Sequence, residues 1–287
     1  MHAIPVHFDT RQVAYPDSYS PSAAKPALVV SAWKADGFPV AIEPVHPVTR
    51  AQLTLAHEAS FVEDVLDLRR SDGFGNRRAD VAASFQWTSG SLLCAARTAL
   101  ANGQIAVSPT SGFHHAGYAH CAGYCTFNGL MVTAQVLLAE GKVGKLGVLD
   151  CDQHFGDGTE DIINHMELRA QIIHITKGRG YTGDAASFLA QLPDLVAACA
   201  GCDLLLYQAG ADPHVDDPLG GYLTSEELLT RDRIVFQATA RMGIPVVWNL
   251  AGGYQEPIER VLEIHTNTMR ACLEAYFDPS EARDNAA

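Results

Sequence analysis

Leu146-Gly-Val-Leu-Asp150 is a short apolar run that ends in a carboxylate, and Cys151-Asp-Gln-His-Phe-Gly-Asp-Gly158 follows it directly. Such a run predicts a strand that is buried on both faces. Similar runs predict further strands at residues 104–107, 171–175, 204–207 and 245–250. Helical periodicity between these runs predicts helices at residues 79–101, 127–139, 185–200, 225–242 and 257–276. The alternation indicates an α/β fold with a central, mostly parallel sheet and helices on both faces.

The first 80 residues are less regular, because prolines at positions 16, 21, 26, 39, 44 and 47 interrupt the pattern. We expect them to supply edge elements and not a second domain. Residues 81–277 would form the core that carries the site, and the polar, alanine-rich tail 278–287 would be frayed. The sequence therefore predicts a single domain over residues 1–287.

The charge balance restricts the partners, since 33 acidic and 20 basic side chains give a formal net charge of −13. Nucleic acid is not expected as a partner, because phosphate binding needs a surplus of lysine and arginine. Cationic ligands such as amines, polyamines or lysine-rich segments suit the negative charge better. Without a secretory leader or an apolar run of about 18 residues, we expect a cytoplasmic protein outside the membrane. Symmetric self-association is a reasonable default.

Seven cysteines in such a protein predict reduced thiols. The pair Cys199-Ala-Gly-Cys202 has the spacing of redox and zinc motifs, but it follows a predicted helix and has no partner pair at zinc-finger spacing. Buried structural thiols are the favoured interpretation.

Polar residues follow four of the predicted strands at the edge where a parallel sheet binds its ligands. Besides Asp150 to Gly158, these stretches are Ser111-Gly-Phe-His-His-Ala116, Gln208-Ala-Gly-Ala-Asp-Pro-His-Val-Asp-Asp-Pro218 and Ala251-Gly-Gly-Tyr254. Asp152, His154 and Asp212 form a ligand set of the kind that holds catalytic zinc and leaves one position for water. Asp152 and His154 alternate along extended chain, so both side chains can lie on one face.

The neighbouring His114 and His115 suggest a proton-transfer pair beside this metal, with Asp150 and Asp157 available to orient the two imidazoles. Two glycines precede Tyr254 and would let its phenol reach the site, where it could donate to an oxyanion. His120 and His214 are expected to be rim or structural residues.

The assembled motifs resemble the zinc-dependent histone deacetylase family, which includes acetoin-utilisation proteins and acetylpolyamine amidohydrolases. The resemblance covers residues 48–270. It also rests on Gly123-Tyr-Cys-Thr-Phe-Asn128 and on Asp217-Pro-Leu-Gly-Gly221, which is more similar to the class II branch than to class I. It implies the arginase-deacetylase fold.

The resemblance further implies a role for each matched residue. Zinc would be held by Asp152, His154 and Asp212. His114 would pair with Asp150, His115 would pair with Asp157, and Tyr254 would donate to the oxyanion. The walls of an acyl-lysine tunnel would include Gly123, Tyr124 and Leu219. A potassium ion on main-chain oxygens between Asp150 and His154 is also implied.

The sequence departs from the family pattern at two places. The approach to the histidine pair is Ser108-Pro-Thr-Ser-Gly-Phe113, where many relatives have two prolines, and Phe155 replaces a frequent second histidine. Neither change removes a catalytic group, but both prevent the transfer of a particular relative's substrate preference.

The leading functional hypothesis is zinc-dependent removal of an acetyl or short acyl group from a lysine side chain or a related primary alkylamine. An acetylpolyamine amidohydrolase is the alternative substrate class. An arginase-like hydrolase with two manganese ions is a rival enzyme on the same fold. A non-catalytic protein that binds acylated ligands is a rival from a different functional class.

Overall fold

A single eight-stranded sheet organises the part of the protein that the computed structural model describes, residues 3–277. Its strands are β1 (Ile4–His7), β2 (Val40–Glu43), β3 (Ile105–Ser108), β4 (Leu146–Asp150), β5 (Ile172–Lys177), β6 (Gly180–Tyr181), β7 (Leu204–Gly210) and β8 (Val246–Ala251). The strand order is β2-β1-β3-β8-β7-β4-β5-β6, and all pairings between these strands are parallel. The predicted parallel α/β sheet is confirmed.

Helices cover both faces of the sheet. They are α1 (Lys25–Ala35), α2 (Arg50–Leu53), α3 (Ala59–Leu66), α4 (Ala79–Asn102), α5 (Gly129–Ala139), α6 (Asp157–His165), α7 (Ala185–Ala197), α8 (Ser225–Met242) and α9 (Glu259–Phe277). Side chains alternate along β7, so that Leu204 and Leu206 pack in one apolar cluster while Leu205 and Tyr207 pack in the other. The first cluster includes residues of α4 and α5, and the second includes residues of α1, α7, α8 and α9.

The elements predicted beyond residue 79 lie within three residues of their observed bounds. Helix α6 and the two-residue strand β6 were not predicted. The nine residues of α6 contain only two large apolar side chains, Ile162 and Ile163, so helical periodicity is hard to detect there. The structure shows that the stretch after β4 leaves the sheet and turns into a helix at Asp157.

Residues of the irregular N-terminal region join the same sheet. Strand β2 lies at one edge, and β1 lies between β2 and β3. Cys199 and Cys202 are buried in the second apolar cluster, as expected for structural thiols. In the described range we find no helix with the length and apolar character needed to span a bilayer. The predicted frayed tail, 278–287, lies outside the described residues.

Candidate metal and catalytic site

The three predicted metal ligands meet at the carboxyl ends of two neighbouring strands. Asp152 and His154 follow β4, Asp212 follows β7, and these strands pair directly. Nδ1 of His154 lies 3.1 Å from Oδ1 of Asp152 and 3.0 Å from Oδ2 of Asp212. One ligand atom from each of the three residues lies within 4.8 Å of the other two. The topology thus brings together residues that are far apart in the chain.

The charges of this cluster suit a divalent cation. Asp152 and Asp212 are both buried, and Nδ1 of His154 lies against one carboxylate oxygen of each. Burial and repulsion from Asp152 raise the pKa of Asp212 to about 7. Hydrogen bonds to the two carboxylates raise the pKa of His154 to about 10. Two buried carboxylates and an imidazole this close together would be stabilised by a positive charge between them, so the three residues could hold a metal ion.

Asp150, the last residue of β4, contacts the first histidine of the pair. Nδ1 of His114 lies 2.8 Å from Oδ2 of Asp150, and both side chains are buried. The other carboxylate oxygen accepts a hydrogen bond of 2.9 Å from Nε2 of Gln208. Burial alone would lower the pKa of His114, but the charges of Asp150 and Asp152 outweigh burial and raise this pKa to about 9. His114 therefore favours the protonated form beside the candidate metal ligands.

The second histidine lies in a different electrostatic environment. Nδ1 of His115 is 2.5 Å from Oδ1 of Asp157, the first residue of α6, whose side chain is 54% exposed. Burial, followed by the charge of neighbouring His114, lowers the pKa of His115 below 6.5. The two imidazole rings are 4.0 Å apart between centroids. One histidine of the pair is thus biased towards the cation and the other towards the neutral base.

Tyr254 is positioned by its main chain. Positive φ angles at Gly252 (+48°) and Gly253 (+89°) turn the chain after β8, and a Cβ on Gly252 would lie 2.1 Å from Cγ of Asp212. The N–H of Tyr254 donates a 2.8 Å hydrogen bond to Oδ2 of Asp217. Burial, followed by the charges of Asp152 and Asp212, raises the pKa of the phenol, which therefore remains a donor.

Each of the three predicted wall residues is linked to a residue of the candidate site, directly or through Asp217. A Cβ on Gly123 would lie 2.4 Å from the His115 ring, so only glycine fits against this imidazole. Tyr124 has a φ of +62°, a strained value for a non-glycine residue, and its ring centroid is 6.1 Å from that of Tyr254. Leu219 is 42% exposed, and its N–H donates to Oδ1 of Asp217 at 3.0 Å.

Three residues near the site were not predicted from the sequence. Lys25 is fully buried at the start of α1 and donates to the carbonyl of Gly252. Burial lowers the pKa of Lys25 to about 8, although Asp212 and Asp152 counteract this effect. Asp217 links Tyr254 to Leu219, as described above. The contacts of Lys25 with Gly252 and of Asp217 with Tyr254 join segments that are distant in the sequence, so the sequence motif that begins at Asp217 does not reveal them.

The third of these residues, His57, supports the loop that carries the histidine pair. Its Nδ1 lies 2.9 Å from the carbonyl of Gly117, and its Nε2 accepts a 2.9 Å hydrogen bond from the N–H of Asn128. His214 bonds to Ser225 at 3.0 Å, in agreement with its predicted structural role, and His120 is exposed.

Comparison with known proteins gives a consistent match. The sequence profile of the histone deacetylase domain matches residues 22–181, more than half of the chain. An uncharacterised protein of Picosynechococcus sp. is 27% identical over 256 residues, which cover 79% of this chain and 83% of that protein. The acetylpolyamine amidohydrolase of Mycoplana ramosa is 29% identical over 175 residues, which cover 50% of each chain.

Solved structures extend this similarity to the fold. The crystal structure of the HDA15 HD domain superposes with a TM-score of 0.76 at 21% identity and covers 95% of this chain and 89% of that domain. The two chains therefore share the same overall fold.

Proposed function

Because the chain belongs to the histone deacetylase family and is a hydrolase, we propose that it removes an acetyl or short acyl group from a primary alkylamine with the help of one zinc ion. The convergence of Asp152, His154 and Asp212 beside two histidine–carboxylate pairs is the observation that carries this proposal. Among residues 3–277 this is the one group of three or more candidate ligands, which favours a single ion over the two-manganese alternative.

Asp152, His154 and Asp212 would hold the zinc. When bound there, zinc supplies Lewis acidity, which polarises the acyl carbonyl and lowers the pKa of a water. The buried carboxylates need this positive charge, since burial and mutual repulsion already raise the pKa of Asp212.

We propose His115 as the general base and later the general acid. Its lowered pKa keeps the imidazole neutral near pH 7, so it can take a proton from the attacking water. The water oxygen bonds to the acyl carbon, and the bond from that carbon to nitrogen then breaks. The same imidazole returns the proton to the departing amine. Asp157 fixes Nδ1 as the protonated nitrogen and leaves the other ring nitrogen for this transfer.

His114 and Tyr254 would stabilise charge in the transition state. Asp150 holds the His114 ring, and the raised pKa of this histidine favours a cation next to the developing oxyanion. The Tyr254 phenol keeps its proton and donates a hydrogen bond to the same oxyanion. Both groups are fixed by packing before substrate binds, which is the condition for electrostatic catalysis.

The substrate proposal favours acetylated lysine in a peptide or protein, with acetylpolyamines as the alternative. The net charge of −13 attracts cationic chains of either class. The apolar Leu219 and Phe155 are exposed, 42% and 40% respectively, and could contact the backbone around a lysine. We further propose that residues 1–287 act as one cytoplasmic deacetylase domain that can form a homo-oligomer.

Acetate release from a panel of substrates tests the proposed reaction. The panel contains an acetyl-lysine peptide, a trifluoroacetyl-lysine peptide, acetylputrescine and acetylspermidine, and each is incubated with zinc-loaded and with chelated protein. Zinc-dependent cleavage of any member supports the proposal, and the ranking separates peptides from polyamines. A His115→Ala variant is the matched control, since it should keep the zinc ligands and lose cleavage. Binding of substrates without acetate release from wild-type protein would instead support the non-catalytic alternative.

A further inference from the structure

Two main-chain carbonyls of the segment that carries the metal ligands point at one phenol. The hydroxyl of Tyr181 lies 3.1 Å from the carbonyl oxygen of Asp150 and 3.4 Å from that of Asp152. Tyr181 is in β6 and is only 3% exposed. Burial raises the pKa of this phenol well above its ordinary value, so its proton remains available to the two carbonyls.

The carbonyl of Cys151, which lies between those of Asp150 and Asp152 in the chain, accepts a hydrogen bond from a different side chain. Nη1 of Arg231, on α8, donates to the carbonyl of Cys151 at 3.2 Å and to that of Gly210 at 2.7 Å. Arg231 is fully buried, and Asp232 balances its charge through a 2.8 Å contact. Three consecutive carbonyls, those of residues 150 to 152, are therefore satisfied by protein side chains.

These contacts bear directly on the potassium ion that the family resemblance implies. A potassium ion on the carbonyls of Asp150 and Asp152 would need the position that the Tyr181 hydroxyl occupies. The side chain of Asp150 offers little in addition, because its Oδ1 accepts hydrogen bonds from Gln208 at 2.9 Å and from the N–H of Asp152 at 3.2 Å. The residues at this position do not fit a potassium ion.

We propose that Tyr181 is a positioning residue that holds the segment from Asp150 to Asp152 in place of a monovalent cation. The hydroxyl bridges the residue that orients His114 and the residue that supplies a metal ligand. It fixes the spacing of these side chains, and the protein therefore does not require potassium. The inference rests on the proposed function only in taking Asp152 as a zinc ligand.

Metal affinity and melting temperature, measured in potassium, sodium and choline salts at matched ionic strength, test this proposal without any substrate. Wild-type protein should have the same zinc affinity and melting temperature in all three salts. Tyr181→Phe keeps the ring that packs on Phe188, with centroids 4.5 Å apart, and loses only the hydroxyl. In choline this variant should bind zinc about tenfold to a hundredfold more weakly, and potassium should restore part of the loss.

Tyr222→Phe is the matched control. The Tyr222 ring packs on the same Phe188, with centroids 5.9 Å apart, but the segment from Asp150 to Asp152 is held by other donors. This variant should show no dependence on the cation.

Three results would overturn the proposal. One is a loss of zinc affinity by wild-type protein in choline, and another is wild-type zinc affinity of Tyr181→Phe in choline. The third is a thallium(I) ion bound to the carbonyls of Asp150 and Asp152 in soaked wild-type crystals, a measurement that holds even if the variant does not fold. Because no readout needs catalysis, failure of the substrate panel would leave this test intact.

Discussion

Replacement of Tyr254 by phenylalanine isolates one hydroxyl in the candidate site. The stacking of this ring on Tyr19, with centroids 5.9 Å apart, does not involve the hydroxyl. The hydrogen bond to Asp217 comes from the main-chain N–H of Tyr254 and also survives. The proposed metal ligands are on other segments, so zinc content and melting temperature should stay close to those of the wild type. The change therefore removes the proposed donor to the transition state, together with the contact between this hydroxyl and Ser20.

The expected loss follows from that single donor. Removal of one oxyanion donor costs about 2.7–4 kcal/mol of transition-state stabilisation, which is a fall of roughly 10² to 10³ in kcat. Initial rates on the best substrate of the panel, together with zinc content by mass spectrometry, measure both effects. Tyr19→Phe is the matched control, since it removes the hydroxyl of the ring that stacks on Tyr254 and should retain most of the rate. A wild-type kcat in Tyr254→Phe would refute the assigned role.

The pH dependence provides an independent check on the same phenol. The phenol can donate a hydrogen bond only while it keeps its proton. The rate should therefore fall only as the pH rises through the pKa of the phenol. Because burial and the nearby carboxylates raise the pKa of Tyr254 above 10, the wild-type rate should show no decline from this group below pH 10. A decline near pH 9 that disappears in Tyr254→Phe would contradict the electrostatics described here.

Three further predictions concern other parts of the site. Asp212→Ala should lose zinc, measured as metal per chain after dialysis, and full occupancy would contradict the ligand set. Asp157→Asn should lower kcat/KM by about tenfold to a hundredfold and move the acidic limb of the pH profile to lower pH, because the carboxylate raises the pKa of His115; an unmoved limb would argue against His115 as the base. Glu160, which lies 3.0 Å from Nδ1 of His174 and also contacts two arginines, has a pKa lowered to about 2, since these partners outweigh burial. The ionised form of Glu160 stabilises the fold above pH 4.5. Glu160→Gln should therefore lower the free energy of unfolding at pH 7 by about 1–2 kcal/mol, a value that allows for solvent screening of the arginines. In thermal melts, the difference in stability between the variant and the wild type should shrink as the pH falls from 4.5 towards 2. A constant difference would show that the loss is steric.

Much of the site could be predicted because its chemistry is concentrated at strand ends. Parallel strands must place their carboxyl ends along one edge, so Asp152 and Asp212 are expected to meet wherever β4 and β7 are neighbours. The apolar runs define those strands without help from distant residues. The pairs His114–Asp150 and His115–Asp157 came from the family resemblance, and the distances of 2.8 and 2.5 Å agree with it.

The residues that the sequence did not predict make contacts with residues far away in the sequence. Lys25 contacts Gly252 over 227 positions, and its burial depends on how α1 packs against the end of β8. Tyr181 belongs to a two-residue strand, which is too short for any periodicity. The sequence also did not reveal that Tyr181 occupies the place of the potassium ion that the resemblance implies. The phenol and the carbonyls that it contacts belong to separate segments of the chain.

Asp217 connects the loop that carries Leu219 to the proposed oxyanion donor. One of its carboxylate oxygens accepts a hydrogen bond from the N–H of Leu219, and the other accepts one from the N–H of Tyr254. A substrate that displaces the loop around Leu219 would thus also displace the Tyr254 phenol. Selectivity in such an arrangement would be expressed in turnover as well as in affinity. Anyone who redesigns Leu219 to admit a bulkier chain should therefore expect the rate constant to change together with the binding constant.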